Sequence, residues 1–348
     1  MTSTPVEFVQ QFGQNDLIAY STLQDGMARF ETSFGFVAYR RVLGMDITLG
    51  GPICAPADQA DLIRRFLTYS RRPIFCYIRH DTLQQLGDAR LYCAGIGIDR
   101  HVDIATLLAV PARPVVGAVK KARKARLCIT PLDLATVTPG TRRRLDAITT
   151  SYLASAEIGR EMTFINRPMS FVADGMRRVY TLAKYDREHD GVFGYAVLNP
   201  IFHAGTVTAY LLDILRFEPT RLWGVWLSAV HELARQLASE GFGLSLGFCP
   251  LYRARPAPAG GSRLLQVQID WMVRYLSSAQ YLTRLRELKD LIPGPEEPRF
   301  LATFSPLAVV SLYAFMDAMG LGFGYLFGPD LIAVIKTGLR SRLSREVA

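Results

Sequence analysis

The sequence predicts an α/β protein built as two successive units, with mixed sheets flanked by helices. Two observations predict it. Short apolar, β-branched runs alternate along the chain with segments of helical spacing. A similar order of elements, strands, helix, strand, occurs once before and once after a strongly basic stretch, which is the layer pattern of α/β folds. At 348 residues and 49% hydrophobic, the chain is long enough for two cores of ordinary size.

Taken in order, Phe34 to Arg40 and Met45 to Leu49 read as strands, and Gly50-Gly51-Pro52 ends the second. From Asp58 the spacing of Leu62, Ile63, Phe66 and Leu67 predicts a helix, and Pro73 to Ile78 reads as a buried strand. In the second unit, Thr141 is placed to N-cap a helix whose apolar face is Leu145, Ile148, Tyr152 and Leu153. Strands follow at Val179 to Tyr185, Val192 to Leu198 and Val207 to Leu212. A helix from about Arg221 to Glu240 carries Leu222, Trp226, Val230, Leu233 and Leu237 on one face and stops at Gly241; Phe242 to Phe248 is the next strand. The expected divisions are residues 1–112, a basic linker helix over 113–135, a second unit over 136–302, and an apolar then basic segment over 303–348.

Forty Lys plus Arg against 31 Asp plus Glu give a net charge of +9, which favours a polyanionic partner: nucleic acid, an anionic membrane surface, or both. Five separated cysteines without a C-x-x-C pair read as free thiols of a reducing compartment, and Met1 to Gln14 lacks a basic-then-apolar run. A cytoplasmic location is expected. The lone histidines lack zinc-ligand spacing, so no metal is expected; His231 reads as solvated and Cys249 as a small buried residue.

Between the units, Arg113 to Arg126 contains Lys120, Lys121, Arg123, Lys124 and Arg126, and no acid occurs from Ile104 to Leu132. On a helix, Lys120 and Lys124 share a face with Arg123 beside it, a ridge suited to phosphate; a solvated surface helix is the plainer alternative. The run from Ser305 to Ile335 is apolar but interrupted by Asp317, Pro329, Asp330 and glycines, with Lys336, Arg340, Arg342 and Arg345 following. It falls short of the ~20 clean apolar residues a spanning helix needs. Core helices are one reading, and a peripheral segment with a basic anchor on the inner membrane face is the other.

The most informative stretch is Leu211 to Leu251. Asp213 and Arg216 stand at the end of an expected strand and, three apart, can line one cleft only if the strand ends or kinks between them. The helix start Arg221-Leu222-Trp223-Gly224-Val225-Trp226 partly resembles the Q/R-x-x-G-x-G/A signature of the GNAT superfamily of acyl-CoA N-acyltransferases. Trp226 stands where that signature has a small residue so that backbone N–H groups can approach a pyrophosphate, which argues against coenzyme A.

A stronger resemblance is to the phosphatidylglycerol lysyltransferase carboxyl-terminal domain family. Leu212-Asp213-Ile214-Leu215-Arg216 and Leu246-Gly247-Phe248-Cys249-Pro250-Leu251 resemble its D-L-M-R and L-G-M-A-P-L motifs. Leu285-Arg286-Glu287-Leu288-Lys289 and Glu297-Pro298-Arg299-Phe300-Leu301-Ala302 resemble its L-R-x-x-K and E-P-R-Y-L-A pair. Weaker likeness reaches back to about Phe30. Gly51, Phe248-Cys249 and Glu296 depart from the family's Asp, Met-Ala and Trp, and Ile214-Leu215 stands where the motif has Leu-Met.

The resemblance implies two tandem GNAT-like domains, here as a stand-alone member without the flippase domain of the larger members. It also implies transfer of an aminoacyl group from charged tRNA, the co-substrate, to a lipid head group or a small natural-product intermediate, with no other cofactor. Such an ester is already activated, so the enzyme must align the acceptor, take a proton and stabilise the oxyanion. Asp213 is expected to accept the proton or hold the α-ammonium, and Arg216 to hold Asp213 or a phosphate. Lys289 is expected to contact a phosphate, Glu297 and Arg299 to form pocket wall, and Tyr180 and Glu161 to contact the aminoacyl moiety. The basic run Lys120, Lys121, Arg123, Lys124 and Arg126 is expected to bind tRNA. The rival readings are an acyl-CoA or acyl-carrier-protein transferase, and a non-catalytic RNA- or membrane-binding module.

Overall fold

The structure, a computed structural model, describes residues 4–320 apart from 15, 88, 156–160, 185–190, 220–223, 251, 253–260 and 276–278. The first half opens with α1 (Pro5–Phe12), whose N-terminus is closed by a reciprocal Thr4–Glu7 capping box. Strands β1 (Ala28–Thr32), β2 (Gly35–Val42), β3 (Met45–Leu49) and β4 (Ile53–Cys54) lead to α2 (Gln59–Tyr69), β5 (Pro73–Ile78), α3 (His80–Gln85), β6 (Tyr92–His101) and α4 (Ile104–Ala109). The second half follows as α5 (Arg113–Lys124), β7 (Leu127–Leu132), α6 (Pro139–Ser155), β8 (Arg178–Lys184), β9 (Val192–His203), β10 (Thr206–Phe217), α7 (Val225–Ser239), β11 (Gly243–Pro250), α8 (Arg263–Tyr275), α9 (Ala279–Asp290), β12 (Glu296–Thr303) and α10 (Ala308–Ala318).

Eleven of these strands form one path, β1-β2-β3-β5-β12-β6-β11-β10-β9-β8-β7, with β4 attached to β2. Its two ends are built alike. In the first half β3 runs parallel to β5 across α2; in the second, β10 runs parallel to β11 across α7, as expected for strand–helix–strand units. At the centre the last strand of each half is exchanged. β6 pairs with β11 and β12, both from the second half, and β12 pairs with β5 and β6, both from the first. The sheet therefore runs unbroken through both halves of the chain.

Helix α7 shows why these residues form these elements. Its buried positions, Val225, Leu227, Ser228, Ala229, Val230, Leu233, Ala234 and Leu237, make a wide stripe against Tyr180, Leu198, Tyr210, Leu212 and Leu244 of the sheet. Each large aliphatic so buried is worth about 1.5–3 kcal/mol over an exposed one. On the opposite sheet face, Leu145 and Ile148 of α6 pack on Val179, Tyr195, Val197 and Ile214.

Several expected boundaries move. Helix α5 ends at Lys124, Arg126 turns the chain with φ +53°, and Leu127–Leu132 of the expected linker is β7, paired along β8. Strands expected to end at Leu198 and Leu212 continue to His203 and Phe217, because β9 and β10 pair along that whole length. In the carboxyl-terminal segment, α10 packs Ala314, Phe315 and Ala318 against β2, β3 and α8, so this part is core. Lys336, Arg340, Arg342 and Arg345 lie outside the described residues.

Candidate functional site

The kink demanded by the spacing of Asp213 and Arg216 is present, but as a bulge within a strand that continues. Leu212 pairs with Leu198 and Ile214 with Val197, leaving Asp213 as the extra residue of β10. The bulge resets the alternation: Leu212 packs on the α7 face, Ile214 on the α6 face, and both Asp213 and Arg216 meet the segment that crosses the α6 face. It also lies where the sheet opens. β10 and β11 are paired only from Ala209–Leu211 to Gly243–Ser245; beyond that β11 pairs with β6, and the two parallel strands part. Gly247 fits this parting because it has φ +69° and a Cβ there would come within 2.7 Å of Leu211 Cδ1.

Three donors converge on the Asp213 carboxylate. Asn166 Nδ2 donates to Oδ1 at 2.9 Å, while the Arg167 N–H and Asn199 Nδ2 donate to Oδ2 at 3.0 and 2.8 Å. Behind them the buried Arg177 donates from Nε to Asn199 Oδ1 at 3.0 Å and from Nη1 and Nη2 to the Pro168 and Arg167 carbonyls. Burial pushes the Asp213 carboxyl above the usual carboxylate range, against the opposing pull of the Asn166 hydrogen bond, the Arg177 charge and the other donors. The residue is deep yet keeps some accessible surface. Asn166, Asn199 and Arg177 escaped sequence reading. Asn199, a polar residue inside an apolar strand, is the one that carried a signal.

Arg216 does not hold Asp213. Its Nη2 pairs with Glu161 Oε1 at 2.7 Å and its Nη1 donates to the Tyr195 hydroxyl at 3.2 Å, which also contacts Thr149 Oγ1 at 2.7 Å. Glu161 thus belongs to this site through Arg216. Tyr180 is buried in the core of the α7 face, across the sheet from Asp213 and Arg216.

Lys289, Glu297 and Arg299 form a second polar group around the exchanged strands. Arg299 is 0% exposed; its Nε pairs with Asp99 Oδ2 at 2.5 Å and its Nη2 with Glu297 Oε2 at 3.0 Å. The Tyr77 hydroxyl donates to the other Asp99 oxygen, and the Arg299 guanidinium lies 5.1 Å from the Tyr77 ring centroid. Glu297 also meets Arg79 at 3.1 Å. Burial raises the Glu297 carboxyl, but the His101 hydrogen bond and the Arg299 and Arg79 charges outweigh it and hold it at about 2. Lys289 is 6% exposed and donates to the Phe248 carbonyl at 2.9 Å beside Cys249; burial lowers its pKa. Glu297 and Arg299 are brought together, but Arg299 is sealed from solvent.

Lys120, Lys121, Arg123, Lys124 and Arg126 are all exposed, while Val115, Ala118 and Ala122 of α5 are buried. Ala118 approaches the start of α7 so closely that a Cβ on Gly224, itself at φ +83°, would lie 2.6 Å from its own. Trp226 packs on the core, and Arg221, Leu222 and Trp223 lie outside the described residues. His231 is half-buried rather than solvated, and burial lowers its pKa. Among the described residues no group of three or more His, Cys, Asp or Glu side chains could hold a metal ion, and no helix is long and apolar enough to cross a membrane.

Residues 6–303 match the family described as phosphatidylglycerol lysyltransferase, C-terminal. No curated protein sequence matches the chain. Among solved structures it is similar to the C-terminal domain of a putative lysylphosphatidylglycerol synthetase from Agrobacterium fabrum (TM-score 0.72, 18% identity, covering 92% of this chain and 99% of that one). It is also similar to L-PGS from Bacillus licheniformis (TM-score 0.73, 14% identity, 91% and 95% covered). FemX is more distant, at TM-score 0.54 and 10% identity, with 91% and 99% covered.

Proposed function

The chain belongs to the phosphatidylglycerol lysyltransferase C-terminal family, and from that premise we propose that it moves an aminoacyl group from aminoacyl-tRNA to a hydroxyl or amine. The acceptor is a phosphatidylglycerol-like head group or a small natural-product intermediate. The observation that carries this reading is the bulge in β10, which turns a carboxylate and a guanidinium to one face where two parallel strands part.

In the proposed reaction the acceptor oxygen or nitrogen attacks the ester carbonyl carbon, and the bond from that carbon to the tRNA ribose oxygen breaks. Asp213 takes the acceptor's proton and gives it to the ribose oxygen as it leaves, so that the tRNA departs with a free hydroxyl. Its raised pKa suits a base working nearer neutrality, and the three donors aim the carboxylate without consuming all its acceptor positions. Arg216, steadied by Glu161 and Tyr195, faces a substrate phosphate. Lys289, one of whose donors goes to the Phe248 carbonyl of β11, is assigned a phosphate of the acceptor. The exposed basic side chains of α5 bind the tRNA backbone. Tyr180, across the sheet, has no substrate role in this scheme.

The test is to incubate the protein with total tRNA charged with labelled amino acids, a lipid extract and a soluble small-molecule pool. Label should reach an acceptor, and RNase should abolish transfer. Transfer that survives RNase, or that needs an acyl-CoA, would overturn the reading.

A further inference from the structure

We infer that Gln24, from the first half of the chain, is a positioning residue of the transfer site, acting through the segment from Thr163 to Arg167 that holds the Asp213 carboxylate. This rests on the reading of Asp213 given above. Gln24 is buried, and its side-chain amide pairs with the backbone of Phe164 as a neighbouring strand would. Nε2 donates to the Phe164 carbonyl at 2.6 Å, and Oε1 accepts the Phe164 N–H at 3.0 Å. The second Nε2 hydrogen goes to the Ser21 carbonyl at 2.8 Å, and Oε1 also accepts from Arg40 Nη2 at 3.2 Å, so the amide is fully used.

Arg40 completes the clamp. Its Nη1 donates to Thr163 Oγ1 at 2.7 Å and to the Ala318 carbonyl at 2.6 Å, and its guanidinium lies 5.6 Å from the Phe164 ring centroid. Phe164 needs such a hold. It is fully buried with φ +76°, a left-handed conformation that a bulky aromatic keeps only where its surroundings over-determine it.

On either side of that turn the segment touches the site. Glu161 pairs with Arg216 before it, and Asn166 Nδ2 and the Arg167 N–H meet Asp213 after it. A slackened turn would move both together. The first half thus contributes no group to the carboxylate itself, yet sets where two of its three donors stand. The charged groups around Asp213 are Arg177 and Arg167, with the Tyr20–Asp174 pair bonded behind them, while Arg216 faces Glu161.

The test compares Gln24→Leu, Gln24→Glu and Asn166→Ala with the unaltered chain. The first readout is the titration of Asp213 followed by NMR of 13Cγ-labelled aspartate, with Asp213→Asn assigning the resonance; it needs no substrate. Loosening two donors should raise the midpoint by about one pH unit. The second readout is transfer from total aminoacyl-tRNA to phosphatidylglycerol vesicles, where kcat should fall roughly ten- to a hundredfold with little change in KM for the tRNA. The Gln24→Leu/Asn166→Ala double variant should be no worse than the poorer single one.

An unmoved midpoint in a folded Gln24 variant, or losses that multiply in the double variant, would overturn the inference. So would failure of both Gln24 variants to fold, since Gln24 would then be a folding residue. If instead Asp213→Asn transfers normally while the midpoint moves, the clamp stands and the catalytic reading falls.

Discussion

In the first half, β3 runs beside β5 for four residue pairs and stops at Gly50, where Ile18 and Asp16 close in on one side and Thr82 packs against Gly51. In the second, β10 runs beside β11 for three pairs and then goes on to Phe217, with Asp213 bulged out at the parting. The same strand–helix–strand construction is therefore finished in two ways. Where the strand stops, the gap is filled by packing and the nearby charges, Asp99 and Arg299, are sealed as a pair. Where it continues through a bulge, polar groups are delivered to a partly accessible face. The difference teaches that a sealed ion pair and a partly accessible, hydrogen-bonded carboxylate can share one architecture, and that accessibility and hydrogen-bond geometry tell them apart.

The comparison can be broken most sharply at the two aspartates. Asp213→Asn should reduce transfer by about 100- to 10,000-fold while the melting temperature stays near that of the unaltered chain; near-normal activity would remove Asp213 from the mechanism. Asp99→Asn should do the opposite. It removes Asp99 from Arg299, which is at 0% exposure, and leaves it the partly exposed Glu297 and the neighbouring Asp16, and urea unfolding should show a loss of about 3 kcal/mol. A stability change near zero would mean the two halves are less different than their contacts suggest.

Two smaller effects sharpen the contrast. Changing Lys120, Lys121, Arg123 and Lys124 of α5 to Ala should weaken tRNA binding and flatten its dependence on salt, with the logarithmic slope falling by up to about three; an unchanged slope would make the ridge a solvated surface. Glu297, held at about 2 in the folded chain, stabilises it above the ordinary carboxylate pKa and loses that contribution as pH falls through about 2. Melting curves of the chain and of Glu297→Gln should therefore converge as pH drops from 6 to 2. A gap that stays constant would place the effect of Glu297 in packing rather than charge.

Much of the fold was legible because it is written in local periodicity. Met45–Leu49 and Pro73–Ile78 are strands to the residue, and Leu62, Ile63 and Phe66 are buried as the helical spacing required. The exchange of β6 and β12 was not legible, since Arg299 and Gly97 become neighbours across some two hundred residues and no local pattern encodes that pairing. The site divides in the same way. Asp213 and Arg216 announced themselves as charges in an apolar strand, and their spacing demanded the kink that the bulge supplies. Asn166 and Gln24 act from irregular segments where one hydrogen bond decides position and no period exists to betray it.

The exchanged strands also set an order of events for the growing chain. β6 has no partner strand within its own half, and β12, which must lie between β5 and β6, begins only at Glu296. A ribosome that has delivered the first half has therefore released a strand, β5, with an open edge rich in apolar residues, and the strand that covers it follows only after β11, α8 and α9. Such long-range closure makes for slow completion and a long exposure to wrong pairing. Either half expressed alone carries an unfinished sheet with an open strand edge, so each should aggregate more readily than the whole chain.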